Sequence, residues 1–250
     1  MIDVLVSGAA GKMGSLSAQT IAAQGDLRLA ALVDPKPGSG QGEAPVFTSV
    51  EEALAATSPA VALEFSIPAA VFANASALLA AGVATVVGTT GLSDAQIVAL
   101  GEIAAAHDTG LVIVPNFALG AVLLMQFARQ AAKYFGQAEI IEMHGATKLD
   151  APSGTSLRTA RLMELAARST GTTLAEPPAR GVVADNVHIH SVRLPGLVAH
   201  QEVLFGGEDE LLTLRHDSLS RRSFMNGVIL ALRRARDVKG TVIGLENLLD

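Results

Sequence analysis

The chain has 250 residues, half of them hydrophobic, with a formal net charge of −6 and no cysteine. That is enough apolar material for one large domain or two modest ones. The lack of cysteine excludes disulfides, zinc–thiolate sites and thiol catalysis, and an acidic balance without a basic cluster argues against nucleic acid as a partner.

The opening Met1-Ile-Asp-Val-Leu-Val-Ser-Gly8 already reads as a strand entering a glycine turn, so no signal peptide is expected and a cytoplasmic location is. Ile2–Ser7 is predicted as a buried parallel strand and Lys12–Ala23 as the helix after it. Leu27–Val33 is a second strand ending on Asp34. Val61–Phe65, Ala84–Val87 and Leu111–Val114 are three more short apolar strands, separated by the helical segments Ala69–Ala81 and Asp94–His107. Strands alternating with helices of this length predict a doubly wound α/β sheet. Phe65–Ser93 and Thr109–Ala128 carry no charge and are long enough to span a membrane. Pro68, Asn74 and Thr89–Thr90 interrupt the first and Pro115–Asn116 the second, so buried strand–helix alternation is the expectation and no membrane is involved.

Leu119–Phe135 is predicted as a long helix leading into an apolar strand at Ile140, Ile141 and Met143. The Pro-Ser-Gly-Thr turn at Pro152–Thr155 opens another helix. Beyond residue 186 the pattern changes. Val187–Arg193, Val198–Phe205 and Glu210–His216 are strands in which His188, His190, Glu202 and Arg215 interleave with aliphatics, the pattern of a sheet with one wet face. Ser223–Arg236 forms a last helix. Ala175–Asp185, with Pro177 and Pro178, is the expected mobile loop. The division that follows is a nucleotide-type domain, residues 1–117 plus about 224–250, and an α+β domain at about 118–223.

Three constellations carry chemistry. Gly8-Ala-Ala-Gly11-Lys-Met-Gly14 directly follows the first strand and opens a helix. Its glycines permit a tight turn, close approach of a pyrophosphate and close helix–strand packing. Asp34 ends the next strand, 20 residues after Gly14, where a ribose-binding carboxylate belongs. It favours the free 2′-hydroxyl of NADH, whereas Lys36 lies within reach of a 2′-phosphate and keeps NADPH open. Gly88-Thr-Thr-Gly91 and Pro115-Asn-Phe117 sit at carboxyl ends of later strands, where open α/β sheets bind ligands; Thr89, Thr90 and Asn116 offer donors to a nicotinamide. The third constellation is Glu139–Thr155, in which His144, Lys148 and Asp150 precede the Ser153 turn. A proton carrier, a cation and a helix N-terminus together suit a small carboxylate, although the same residues also fit a polar surface loop. His188 and His190 lack a third ligand, so no metal site is expected. His107 reads as a helix end, and His200, His216 and Arg215 as packing or subunit contacts. Arg193, beside a Pro-Gly turn, is a long cation able to reach a substrate, and Arg221–Arg222 reads as a solvated face.

Taken in order, Gly8–Gly14, Glu64-Phe-Ser-Ile-Pro68, Gly88–Gly91, Pro115–Phe117, Lys148-Leu-Asp-Ala-Pro-Ser-Gly-Thr155, Arg193–Gln201 and Arg215–Ser218 resemble the dihydrodipicolinate reductase (4-hydroxy-tetrahydrodipicolinate reductase) family nearly end to end. The resemblance implies an N-terminal Rossmann-like dinucleotide-binding domain, a substrate domain whose open mixed sheet builds a homotetramer, and NADH or NADPH reduction of a small cyclic dicarboxylate in lysine and diaminopimelate biosynthesis. Carried over by position, Gly8, Ala9, Ala10, Gly11, Lys12, Met13 and Asp34 would hold the adenosine half of the cofactor. Gly88, Thr89, Thr90, Val114, Pro115, Asn116 and Phe117 would hold the nicotinamide half. His144 matches the proton donor, Lys148 a second catalytic cation that also binds substrate, and Ser153, Gly154 and Thr155 the carboxylate contact. One departure stands out: the family's second adjacent histidine is Gly145 here, at a substrate-contact position. Its loss leaves open a diverged member that reduces a different cyclic imine or dehydroamino acid. Glu64, where aspartate is more usual, is a smaller change on the cofactor side. A nucleotide-binding protein without catalysis is the remaining alternative.

Overall fold

A computed structural model of the chain describes residues 1–36, 44–166 and 178–249. In chain order the elements are β1 (Ile2–Ser7), α1 (Lys12–Ala22), β2 (Leu27–Val33), β3 (Val46–Phe47), α2 (Val50–Ala56), β4 (Val61–Glu64), α3 (Val71–Ala80), β5 (Ala84–Val87), α4 (Asp94–Ala106) and β6 (Gly110–Ile113). There follow α5 (Leu119–Ala131), β7 (Gln137–His144), α6 (Gly154–Ala166), β8 (Val182–Ala184), β9 (Val187–Arg193), β10 (Ala199–Gly207), β11 (Glu210–Ser218), α7 (Met225–Arg234) and β12 (Gly240–Ile243). The chain divides into two compact units, one made of Met1–Phe117 with Phe224–Asp250 and the other of Ala118–Ser223.

The first unit is an α/β layer structure around a seven-stranded sheet ordered β12-β6-β5-β4-β1-β2-β3, parallel throughout. All four residues of β4, β5 and β6 are buried, as expected of a parallel sheet covered on both faces. Leu5, Val33, Ala62 and Leu78 anchor one core cluster, and Val71, Leu79, Leu100 and Leu111 another. Helix starts follow local chemistry. Ser49 caps α2 through the Glu52 N–H, and Ser93 with Gln96 forms a reciprocal capping box on α4.

Two strands exceed the five predicted for this unit. β3 is two residues long, too short to show a period, and β12 lies in a tail marked mainly by Gly240 and Gly244. Helix α2 was not predicted either; its seven residues are alanine- and glutamate-rich and follow Ser49. The last helix is shorter than Ser223–Arg236, with 3₁₀ turns at Arg221–Phe224 and Ala235–Asp237 on either side of α7.

The second unit is a mixed five-stranded sheet, β11-β10-β7-β9-β8, with only the β7–β9 pair parallel. Helices α5 and α6 pack on one face, where Ile140, Ile189, Val203 and Phe205 meet Leu124, Ala128, Ala160 and Met163. Helix α5 ends at Ala131, one turn before the predicted Phe135, and Phe135 instead packs near Phe205 with ring centroids 5.6 Å apart. The opposite face carries an ion-pair network of His200, Glu202, Arg215 and Asp217. Of the expected mobile loop, Ala175–Pro177 lies outside the described residues. The rest is ordered as a 3₁₀ turn at Pro178–Arg180 and strand β8, because Val182–Ala184 finds an open strand edge on β9.

Candidate active site

The glycine turn sits at the carboxyl end of β1, the edge where parallel sheets present loops to ligands. Gly8 has φ +74°, and a Cβ there would lie 2.3 Å from the Phe65 carbonyl oxygen. Gly14 is required for contact: its Cβ would lie 2.0 Å from the Gly8 carbonyl oxygen. Helix α1 starts from Gly11 with no side-chain cap and no acidic residue in its first turn. Its first N–H groups therefore suit a pyrophosphate. The Asp34 carboxylate accepts from the Ala10 N–H (3.1 Å) and the Lys36 N–H (3.0 Å), which ties the acid to the glycine turn. These residues fit the adenosine diphosphate half of a dinucleotide.

A buried carboxylate organises the neighbouring loops. Glu64 is wholly buried at the end of β4; it accepts from the Ser66 N–H (2.7 Å) and from Asn74 Nδ2 (3.2 Å), which also donates to Ser7 Oγ (3.3 Å). Its carbonyl receives the Gly88 N–H (3.0 Å) and Thr89 N–H (3.3 Å). The Thr89 hydroxyl is directed at the Glu64 and Ser66 carbonyls (3.3 and 3.4 Å), so it braces the loop rather than offering a donor outward. Thr90 is exposed. The Phe65 and Phe117 rings meet edge to face at 5.4 Å, and a Cβ on Gly88 would strike both. Val114 and Phe117 are buried, and Pro115 is exposed.

In the second unit, one sheet face changes character along its strands. Counting by twos from the core residue Ile140 places Glu142 and then His144 on the helix-covered side. Counting from Ile189 places Ser191 and Arg193 there, in register with them. Glu142 has no exposed side-chain surface, and Arg193 holds it with a bidentate pair, Nη1 to Oε2 (2.9 Å) and Nη2 to Oε1 (2.7 Å). His144 Nδ1 lies 2.5 Å from Glu142 Oε2, and the Ser153 N–H reaches Oε1 at 3.3 Å. Burial works to raise the Glu142 pKa, but hydrogen bonds from Arg193, Ser191 and His144 leave it below the usual carboxylate value. Burial, helped by the nearby Lys148 and Arg193 charges, lowers the His144 pKa against the opposing pull of Glu142.

Arg193, which its place beside a Pro-Gly turn marked as a long cation able to reach a substrate, is engaged within the protein, also donating to the Asp150 and Val192 carbonyls (2.7 and 2.8 Å). Lys148 is paired with Asp150 at 2.7 Å through both carboxylate oxygens. Ser153 is buried and caps α6: its Oγ accepts the Ser156 N–H (3.2 Å) and contacts Ser156 Oγ (2.8 Å). Gly154 is exposed, and a Cβ added to it would meet nothing within 4 Å, so the α6 N-terminus opens outward there. A Cβ on Gly145 would sit 3.1 Å from the Leu197 carbonyl oxygen, tight by only a few tenths of an ångström.

Elsewhere, His190 Nε2 pairs with Glu139 (2.8 Å), whereas neither ring nitrogen of the buried His188 has a hydrogen-bond partner. Among the described residues, no group of three or more histidine or acidic side chains is placed to hold a metal. His107 is the C-cap of α4, and His216 lies against Gly120 of α5. The residue that sequence reasoning passed over is Glu142. The signal was present: a carboxylate at an inward strand position must find a cation, and Arg193 occupies an inward position on the neighbouring strand, opposite His144.

Comparison with known proteins identifies the family of the chain. Models of the dihydrodipicolinate reductase N-terminus and C-terminus match residues 2–117 and 120–249. A 4-hydroxy-tetrahydrodipicolinate reductase from Moorella thermoacetica is 44% identical over 264 residues, covering 100% of this chain and 98% of the relative. One from Picosynechococcus sp. is 43% identical over 269 residues, covering 99% of this chain and 98% of the relative. The solved structure of dipicolinate-bound dihydrodipicolinate reductase from Paenisporosarcina sp. TG-14 superposes with a TM-score of 0.91 at 41% identity, with 100% of both chains covered. With both domains matched and the relatives aligned along the whole chain, the protein belongs to the dihydrodipicolinate reductase family.

Proposed function

We propose that the chain reduces 4-hydroxy-tetrahydrodipicolinate to tetrahydrodipicolinate at the expense of NADH or NADPH, in lysine and diaminopimelate biosynthesis. The observation that carries this reading is the His144 ring, clamped at Nδ1 by Glu142, in the same unit as an outward-facing helix N-terminus at Gly154. The name of the Paenisporosarcina structure supports a small cyclic dicarboxylate as ligand. One substrate carboxylate is received by the N–H groups at Gly154 and Thr155, and the other by Lys148, which exchanges Asp150 for it. Gly145 leaves this end of the pocket without a side chain, and Ser153 shapes the turn.

Loss of the 4-hydroxyl as water gives a conjugated ring. When bound, the reduced nicotinamide supplies the hydride. Reduction leaves enamine character in the ring, and His144 Nε2 delivers the proton to carbon. Gly8–Met13 and Asp34 hold the adenosine half; Gly88–Thr90 and Val114–Phe117 frame the nicotinamide half. NADH is the better match, because a 2′-phosphate would bring its charge against the fixed Asp34 carboxylate. The outer face of the second sheet, with His200, Glu202 and Arg215, is proposed as the surface through which a cytoplasmic homotetramer forms; light scattering coupled to gel filtration tests it. No helix of the described residues is long and apolar enough to cross a membrane.

The test is oxidation of NADH and NADPH by purified protein, with substrate generated in place from pyruvate and aspartate semialdehyde. Turnover is expected, and His144→Ala should lower it by about a hundredfold or more. No turnover with either nucleotide overturns the substrate assignment. A second reading, reduction of a different cyclic imine, is favoured by Gly145 alone. Gly145→His separates the two: restoration of a low native rate supports the second.

A further inference from the structure

The carboxylate behind His144 has a role that the reaction itself does not name. Glu142 is fully buried, yet its two oxygens receive two hydrogen bonds from Arg193, one from the His144 ring and one from the Ser153 N–H, with the Ser191 side chain a further partner. The Arg193 fork is itself anchored on the Asp150 and Val192 carbonyls. With Nδ1 committed inward at 2.5 Å, Nε2 is the only ring nitrogen left for a ligand. We propose that Glu142, held by Arg193, is the positioning residue of the proton donor: it fixes the ring's direction and tautomer, while the guanidinium limits how strongly the carboxylate retains a proton on the ring. This rests on the reading of His144 as donor.

The charges explain why both members are needed. A lone buried carboxylate against an imidazole would stabilise the imidazolium and make it a reluctant acid. An arginine alone would keep the ring neutral and unable to donate. The groups facing His144 are Glu142 on its own strand, Arg193 on β9, and Lys148 with its partner Asp150 in the following loop. Ala199, opposite it on β10, carries no charge, and the α6 start contributes the Ser153 N–H through Glu142. Gln201, beside Glu142 on β10, donates instead to Thr159 Oγ1 (2.8 Å).

The experiment is the pH profile of turnover in the full-length protein, measured for Glu142→Gln, Arg193→Gln and His144→Ala. The wild-type rate falls as rising pH removes the His144 proton. Removing the anion should move that falling limb to lower pH by about 1–2 units, with kcat down about tenfold or more at neutral pH and KM little changed. Removing the cation should move the limb to higher pH. Opposite shifts are the signature, since a scaffold role would lower activity without displacing the limb in either direction. Shifts of the same sign, or none, overturn the proposal. If Glu142→Gln fails to fold, judged by melting and nucleotide binding, Glu142→Asp carries the test. It keeps the charge but withdraws the carboxylate from Nδ1, so a reduced kcat with the limb moved to lower pH by less than about a unit supports the role, and a limb at its wild-type position overturns it. Should His144→Ala retain full turnover, the donor reading itself fails and takes this inference with it. Should His144→Ala be inactive while the limb stays fixed in the other variants, only the positioning role fails.

Discussion

Replacing Gly14 with alanine should damage the protein although the position is helical. In an exposed helix the exchange is stabilising by about 1 kcal/mol, because glycine has more backbone freedom to lose. Here the added Cβ would lie 2.0 Å from the Gly8 carbonyl oxygen, 2.7 Å from its carbon and 2.9 Å from the Ala9 Cα. All three are backbone atoms, so no side chain can swing aside. Helix α1 must retreat from the turn by about 1 Å, and overpacking of this kind costs about 1–3 kcal/mol. Net of the helical gain, a loss of up to about 2 kcal/mol is expected, or a melting temperature lower by up to about 8 °C. The retreat also carries the helix N-terminus away from a pyrophosphate, so NADH should bind about tenfold more weakly or worse. Two other glycines grade the argument. A Cβ on Gly11 would be 3.2 Å from the same Gly8 oxygen, and one on Gly25 would meet nothing within 4 Å. Thermal melts and NADH titration of the three alanine variants should rank Gly14 as most harmful, Gly11 as milder and Gly25 as near neutral. Equal behaviour of all three, or an undisturbed Gly14 variant, would refute the contact account of the third glycine.

Asp34→Ser should weaken NADH binding by about tenfold while leaving NADPH binding equal or improved, because a ribose acceptor and a fixed negative charge are both removed; isothermal titration with each nucleotide reads this directly. Ile140→Ala, at a wholly buried position in the second unit's core, should cost about 2–5 kcal/mol in a urea denaturation series. A loss under about 1 kcal/mol would mean that the site collapses around the cavity. His216 is held below the ordinary histidine value of 6.5, chiefly by burial. The unfolded chain then binds the extra proton first, so its contribution to stability is full above about pH 6.5 and shrinks as pH falls toward the folded value. The melting temperature of His216→Asn should therefore fall less steeply than wild type between about pH 7 and 5. An unchanged slope would remove His216 from the acid response.

What the sequence made legible were features with a local signature. Mainly apolar runs marked β1, β2 and β5, and the alternation of His188 and His190 with aliphatics marked β9, all at their observed bounds. The glycine spacing and Asp34 announced a dinucleotide turn from residues close in the chain. Long-range partnerships were harder. β3 and β12 become strands only because β2 and β6 offer edges for them, which no window of a few residues records. Arg193 was read as a cation able to reach a substrate because its partner, Glu142, lies 51 residues earlier. Thr89 was read as a ligand donor because the Glu64 carbonyl that takes its hydroxyl is 25 residues away.

The first unit is also split in time. Its sheet is completed by β12, which pairs with β6, and α7 is tied to the α1–β2 turn by Arg233 holding Asp26 through two 2.8 Å bonds. The second unit, residues 118–223, lies between those pieces in the chain. A ribosome therefore releases everything the second unit needs before it releases the strand that closes the first. Until then β6 carries an uncovered edge, the feature most prone to pairing with another chain. A released chain truncated just before residue 225 should accordingly show protease protection of the described elements of the second unit and a soft, incomplete nucleotide fold. A chaperone that shields the growing polypeptide would have its main work at that edge.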